Sequence, residues 1–250
     1  DEQLKQAVEY CHTRNVKVFL TLNTLVFDRE LDELYQYISY IYNIGMDAVI
    51  VQDLGVAALI REALPKLSLH ASTQMAVHNL AGVKKLEEMG FERVVLAREL
   101  SSEQIRFICH NTNLEIEIFV HGALCMSYSG QCLMSSMIGG RSGNRGRCAQ
   151  PCRLPYDLVR NESKQILTKG TKAKYLLSLK DLSLIEHLEE LKNAGVKSLK
   201  IEGRMKRPEY VALVTNIFRK YLDNPGKVDE QDYNSLLQVF NRGGFTQGYF

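Results

Sequence analysis

No stretch of this chain approaches the roughly 20 consecutive apolar residues that a membrane-spanning helix requires. No basic-then-apolar leader opens it, so nothing in it marks the protein for secretion. No glycine-rich phosphate loop follows an early strand, which weakens a dinucleotide-binding reading. A His-Glu-x-x-His pair is absent, and so is any recognisable Ser/His/Asp pattern. An initiator methionine and a strand ahead of the first helix are missing too, so the chain reads as a fragment of a longer protein. The last absence is local. Between Gly122 and Tyr156 there is not one Asp, Glu or Lys, yet Arg141, Arg145, Arg147 and Arg153 all fall there. Such a segment carries a positive potential unless distant acids face it, and both a solvated basic loop and an anion site fit it.

A hydrophobic share of 45% and a charged share of 24% are ordinary for a globular protein. The net charge of +2 is too small to predict nucleic-acid binding by itself. The first half alternates regularly. Strand-like runs at Val16–Leu22, Asp47–Val51, Lys66–His70, Arg93–Ala97 and Leu114–Val120 are separated by segments with helical apolar spacing, and Ser101-Ser-Glu-Gln carries an N-cap signature. Strands rich in Val, Ile and Leu, spaced by single helices, indicate a parallel sheet with right-handed crossovers. Their separation suits a (β/α)8 TIM-type barrel better than an open doubly wound sheet. The rhythm breaks from Gly122 to about Lys174 and returns with Tyr175-Leu-Leu-Ser-Leu, a helix over Leu184–Asn193, a strand at Ser198–Ile201 and a helix from Pro208 to about Tyr221. The expected fold class is therefore α/β. Residues 1–224 would form a partial barrel with a Cys/Arg-rich insertion at about 122–174, after the fifth strand present. Residues 225–250 would begin a C-terminal extension.

Six cysteines without a secretion signal favour metal binding, catalysis or core thiols over disulfides. Cys11 and Cys109 sit in helix-like patterns and read as core thiols. The other four follow the spacing Cys125-x6-Cys132-x15-Cys148-x3-Cys152. Zinc structural sites favour two tight C-x2-C pairs, which this spacing does not form. Looser thiolates in a Gly- and Ser-rich loop, with arginines to offset cluster charge, suit an iron–sulfur cluster better. Zinc and no metal remain open on the residues alone. His121, four residues before Cys125, also allows a Cys/His nucleophilic pair.

Polar residues at strand C-termini face the active side of such a barrel. Here they include Asn23, Gln52, Asp53, Ser72, Gln74, His121 and two acid–base pairs, Arg98 with Glu99 and Glu202 with Arg204. The arginines at 141, 145, 147 and 153, with Tyr128 and Tyr156 nearby, also form a basic stretch suited to RNA, and Arg204-Met-Lys-Arg207 adds a second patch.

One long motif is distinctive. The run Glu117-Ile-Phe-Val-His-Gly-Ala-Leu-Cys125-Met-Ser-Tyr-Ser-Gly130-Gln-Cys132-Leu-Met-Ser135 resembles the signature of the collagenase-like peptidase family, family U-32. Asn144-Arg-Gly-Arg-Cys-Ala-Gln-Pro-Cys-Arg153, Leu179-Lys-Asp-Leu, Lys200-Ile-Glu-Gly-Arg204 and Asn241-Arg-Gly-Gly-Phe-Thr are similar to the same family. The resemblance implies a barrel incomplete at the N-terminus, with two βα units preceding Asp1, and a small domain following Phe250. It implies hydroxylation of a tRNA or rRNA pyrimidine with prephenate as co-substrate, in the cytoplasm and away from membranes, with a paired family member as a further partner. It also implies a 4Fe–4S cluster on Cys125, Cys132 and Cys148, the fourth ligand being Cys152 or the group at the position of Ser183, of which the thiol suits iron better. Arg98, Glu99, His121, Glu202 and Arg204 are then the catalytic candidates, the arginines suiting a bidentate clamp on a dicarboxylate such as prephenate. A peptidase, as the family name says, and a non-catalytic RNA-binding scaffold with a structural cluster are the alternatives.

Overall fold

The computed structural model describes residues 2–169 and 174–250, so the last part of the expected insertion, 170–173, lies outside the described residues. Helix α1 (Glu2–His12) precedes four βα units and a fifth strand. Their strands are β1 (Phe19–Leu22), β2 (Ala48–Val51), β3 (Ser68–Ala71), β4 (Arg93–Val95) and β5 (Glu115–Ala123). The intervening helices are α2 (Leu31–Asn43), α3 (Leu54–Ala63), α4 (Leu80–Glu88) and α5 (Ser102–His110). A short helix α6 (Met134–Gly139) lies in the segment after β5. Then come β6 (Asp181–Ser183), α7 (Leu188–Asn193), β7 (Ser198–Ile201), α8 (Pro208–Asp223), α9 (Glu230–Val239) and β8 (Phe245–Thr246).

Among the described residues these strands form one eight-stranded, mostly parallel sheet. Strands β1 to β5 pair in sequence order, all parallel, and β7 adds in parallel to the far side of β5. Strand β6 runs antiparallel, against His121, Gly122 and Ala123 at the end of β5, and β8 pairs with β6 in β6's direction. No pairing joins β1 to β7 among the described residues.

The sequence explains why the sheet is so apolar. Every residue of β2 is buried, because helices cover one face and side chains of neighbouring strands fill the other. Ile38 and Ile41 of α2, Ile60 of α3 and Ile108 of α5 form the helical side of that core. Side-chain caps set the starts of α3, α4 and α5. Asp53 accepts the amides of Gly55 and Val56, Asn79 accepts that of Gly82, and Ser101 and Gln104 make the reciprocal capping box expected at α5.

The rhythm expected to return at Tyr175 returns instead at Asp181. Ser178 Oγ and the Leu179 carbonyl accept hydrogen bonds from the Arg153 guanidinium, which ties this stretch to the preceding loop rather than to the sheet. The C-terminal residues pack back on the same body. Helix α9 buries Leu236, β8 pairs with β6, and Arg242 meets the buried Asp181 at 2.6 Å.

A charged group sits inside the sheet. Glu117 is 4% exposed and accepts from Lys200 Nζ at 2.8 Å, Ser198 Oγ at 2.8 Å and Arg93 at 3.2 Å. Burial alone would raise its pKa, but Lys200, Ser198 and Arg93 outweigh that and hold it below the ordinary 4.5. Its folded pKa is depressed, so its contribution to stability is complete above pH 4.5 and is lost as acid protonates it. Glu117→Ala leaves Lys200 without its carboxylate and Arg93 with Glu115 alone, and is expected to cost about 3 kcal/mol in urea unfolding at neutral pH. The deficit should shrink on acidification. An equal deficit at every pH would remove the ion network as its cause.

Candidate functional site

All six parallel strands end at one cavity of about 490 Å³. Thr21 and Asn23 come from β1, Ile50 from β2, Ser72 and Gln74 from β3, Arg98 from the turn after β4, Phe119 from β5, and Lys200, Glu202 and Arg204 from β7 and beyond. Residues from both outer parallel strands, β1 and β7, therefore face the same space, which requires a strongly curled sheet. The segment after β5 closes the top of the cavity. Cys125, Cys132, Cys148 and Cys152 all line it.

Close backbone approach holds that segment in place. Gly122 has φ +106° and Gly130 φ +73°; a Cβ at the first would lie 2.5 Å from the Glu202 carbonyl, and at the second 2.3 Å from that of Gln74. Between them Ser129 is fully buried. Its amide and hydroxyl donate to the Glu99 carboxylate at 3.1 and 3.0 Å, while the Arg98 amide donates to its Oγ at 3.2 Å. Further along, Arg145 forms a bidentate pair with Glu30 at 2.6 and 2.7 Å and also reaches the Leu25 carbonyl. The Arg145 hydrogen bond pulls the Glu30 carboxyl down to about 2. Gln52 bridges the Asn23 and Asn144 carbonyls. Arg153 donates to Ser178, to the Leu179 carbonyl and, through a short contact, to the Leu124 carbonyl.

The four arginines of the carboxylate-free segment thus divide. Arg145 and Arg153, expected among the RNA contacts, are committed to the protein's own loops. Arg141 and Arg147 are exposed, with Arg141 Nε bonded to the Arg147 carbonyl at 3.0 Å.

Of the thiols, Cys125 and Cys148 are exposed, and Cys132 and Cys152 are half-buried. Burial pushes the Cys152 thiol up; Arg153 opposes this, and the charges of Cys125, Cys148 and Cys132 add to it. No group of three or more Cys, His, Asp or Glu side chains has the spacing of a single metal ion among the described residues. The Gln150 amide donates to Cys148 Sγ at 3.3 Å.

The other expected site residues are distributed unevenly. Arg98, Glu202 and Arg204 line the cavity, with Glu202 Oε1 accepting the Arg204 amide at 3.1 Å. Glu99 is turned into the loop contact with Ser129, and His78 Nε2 lies 3.7 Å from it. His121 points elsewhere. The β5–β7 register shifts between Phe119 and His121, so Phe119 faces the cavity while the His121 ring turns onto Tyr210, Phe218 and Phe245. It is 1% exposed, its Nδ1 meets Ser183 Oγ at 3.3 Å, and burial pushes its pKa down to about 4. Neither His121 nor Ser183 lines the cavity.

Lys200 was not among the residues singled out, yet it stands on the cavity floor, fixed by Glu117. Strand alternation was an available signal, since Lys200 lies two residues before Glu202. A second cavity, of about 380 Å³, adjoins the first and shares Arg98, Cys125 and Tyr128 with it. Lys180 and Tyr249 line this one, and no periodic pattern marked either.

The family model described as Peptidase family U32 matches residues 1–250. The chain is 43% identical over 222 residues to the 23S rRNA 5-hydroxycytidine synthase of Escherichia coli, covering 89% of this chain and 33% of that protein. It is 37% identical over 224 residues to a tRNA hydroxylation protein of Bacillus subtilis, covering 89% of this chain and 53% of that protein. Identity to an uncharacterized protease of Methanocaldococcus jannaschii is 39% over 259 residues, covering 100% of this chain and 63% of that protein. The chain thus spans from a third to under two thirds of the length of these relatives.

The contact at Gly130 gives a direct test of the loop's placement. Gly130→Ala puts a methyl group against the Gln74 carbonyl at a left-handed φ and is expected to cost about 2–4 kcal/mol. Thermal unfolding should shift down by several degrees, and Cys125 and Cys132 should react faster with a thiol reagent. Unchanged thiol reactivity would mean that this contact does not position the cysteines.

Proposed function

The chain belongs to peptidase family U32, and on that premise we propose that it is the core of an enzyme that hydroxylates a pyrimidine of tRNA or rRNA. The observation that carries the reading is the single cavity in which four cysteines of one loop meet the ends of all six parallel strands. The names of the E. coli and B. subtilis relatives supply the reaction class.

The donor set fits an iron–sulfur cluster. All four cysteine side chains of the loop line one cavity, and among the described residues no three of them are grouped as a single zinc ion requires. Cys125, Cys132, Cys148 and Cys152 would hold a 4Fe–4S cluster, and Cys152, unlike Ser183, faces the cavity. Bound there, the cluster supplies one-electron redox chemistry. The chain's own residues bind and orient. Arg98, Lys200 and Arg204 make the floor and wall cationic and suit a carboxylate co-substrate such as prephenate. Glu202 holds the turn that carries Arg204, and Glu99 anchors Ser129 and with it the loop. Arg141 and Arg147 are placed to meet RNA phosphates. The curled sheet is read as an arc of a (β/α)8 barrel over residues 1–224, with the Cys/Arg-rich segment inserted after β5 and residues 225–250 beginning a C-terminal extension.

The peptidase reading rests on the family's name and on that of the M. jannaschii relative. Among the described residues no histidine lines either cavity, so neither holds the Cys/His pair that a thiol peptidase uses. No helix of the described residues is long and apolar enough to cross a membrane.

Mass spectrometry of tRNA and rRNA nucleosides from a strain lacking the gene tests the proposal. A hydroxylated pyrimidine should disappear and return with the wild-type gene. Arg98→Ala should restore less than about a tenth of it, since a lost bidentate clamp is worth at least tenfold. An unchanged nucleoside profile together with loss of a peptide-cleaving activity would transfer the assignment to the peptidase reading.

A further inference from the structure

The second cavity has a composition of its own. Leu124, Leu179 and the rings of Tyr128 and Tyr249 line it, and Lys180 stands at its rim. Tyr128 is held from behind. Its ring stacks on His78 with centroids 5.0 Å apart at 26°, and the His78 ring is itself fixed by an Nδ1 contact to the Ala76 carbonyl. Half of Tyr128 remains exposed. Neither Lys180 nor Arg98 is in an ion pair among the described residues, although Arg98 Nε donates to Ser129 Oγ at 3.4 Å, whereas Arg145 and Lys200 are paired with Glu30 and Glu117. The cavity shares Arg98, Cys125 and Tyr128 with the cysteine-lined one.

A fixed aromatic platform, aliphatic walls and an unpaired cation at the rim are what a single unstacked nucleotide requires: a face to stack on and a charge for its phosphate. We infer that this cavity seats one nucleotide extruded from an RNA strand, its base against Tyr128 and its phosphate on Lys180. The inner edge of the base then faces Arg98 and Cys125, next to the cysteine-lined cavity. A pyrimidine inside a duplex does not present its ring atoms to such a recess, so extrusion is the step that brings the base to the thiol-lined space. The inference rests on the RNA reading above and adds to it the place where the target base sits.

The test uses the full-length protein and a short fluorescein-labelled single-stranded pyrimidine RNA, followed by anisotropy across a salt series. Tyr128→Ala should weaken binding about tenfold or more, the range of one lost base–aromatic stack, and Tyr128→Phe should restore it. Lys180→Ala should weaken binding and reduce the salt slope by about one phosphate contact. Circular dichroism melts matching the wild type exclude misfolding, and Lys180→Ala gives a second reading at an exposed side chain. If the Tyr128 and Lys180 variants bind as the wild type does while Arg141→Ala and Arg147→Ala lose affinity, the nucleotide seat is overturned and the RNA reading stands. If no form of the protein binds the RNA, the RNA reading fails and the seat with it.

Discussion

The end of β5 and the loop that follows it press on the chain beneath them so closely that two residues have no room for a side chain. Gly130 lies over the Gln74 carbonyl and Gly122 over that of Glu202. Everything the site contains follows from that approach. It lowers Cys125 and Cys132 onto the cavity, buries Ser129 where it can bind Glu99, and sets Tyr128 beside His78. A loop that merely covered the strands through flexible side chains would leave the thiols free to move. One locked by backbone contact presents them as a fixed set, which is the preorganisation that a cofactor site needs.

Charge is arranged around this contact in two tiers. Below, Glu117 is buried among Arg93, Ser198 and Lys200, so the cation on the cavity floor is held in one place. Above, Arg145 and Arg153 are absorbed by Glu30 and by backbone carbonyls, tying the far half of the loop to the body of the protein. Among the described residues, several cations around the two cavities are in no ion pair. Arg98 faces both cavities, Lys180 stands at the rim of one, and Arg141 and Arg147 point outward. An anionic partner meets cations that the fold has not already neutralised.

Much of the sheet was legible because period and punctuation agreed. Strand β2 is an apolar run between helix stops, β5 opens on alternating Glu and Ile, and the capping box at Ser101 formed as its residues suggest. The cysteine crowding likewise pointed to one site. Other features were hidden for physical reasons. His121 sits in a strong motif, but a register shift in the pairing of β5 with β7 turns it out of the cavity, and no local pattern reports such a shift. Arg145 reads as a free cation until Glu30, far away in sequence, is folded against it. The strand at Asp181 is short and antiparallel, so it escapes a reading tuned to parallel βα units.

The central claim is that the four loop thiols form one iron–sulfur site. Anaerobic reconstitution of the full-length protein with iron and sulfide, read by absorbance and by iron and sulfide content, tests it most directly. The account predicts about four of each per chain for the wild type, with the signal lost or converted to a smaller cluster in Cys125→Ser, Cys132→Ser, Cys148→Ser and Cys152→Ser alike. A wild-type chain that takes up no iron, or a cluster indifferent to the loss of Cys152, would contradict it.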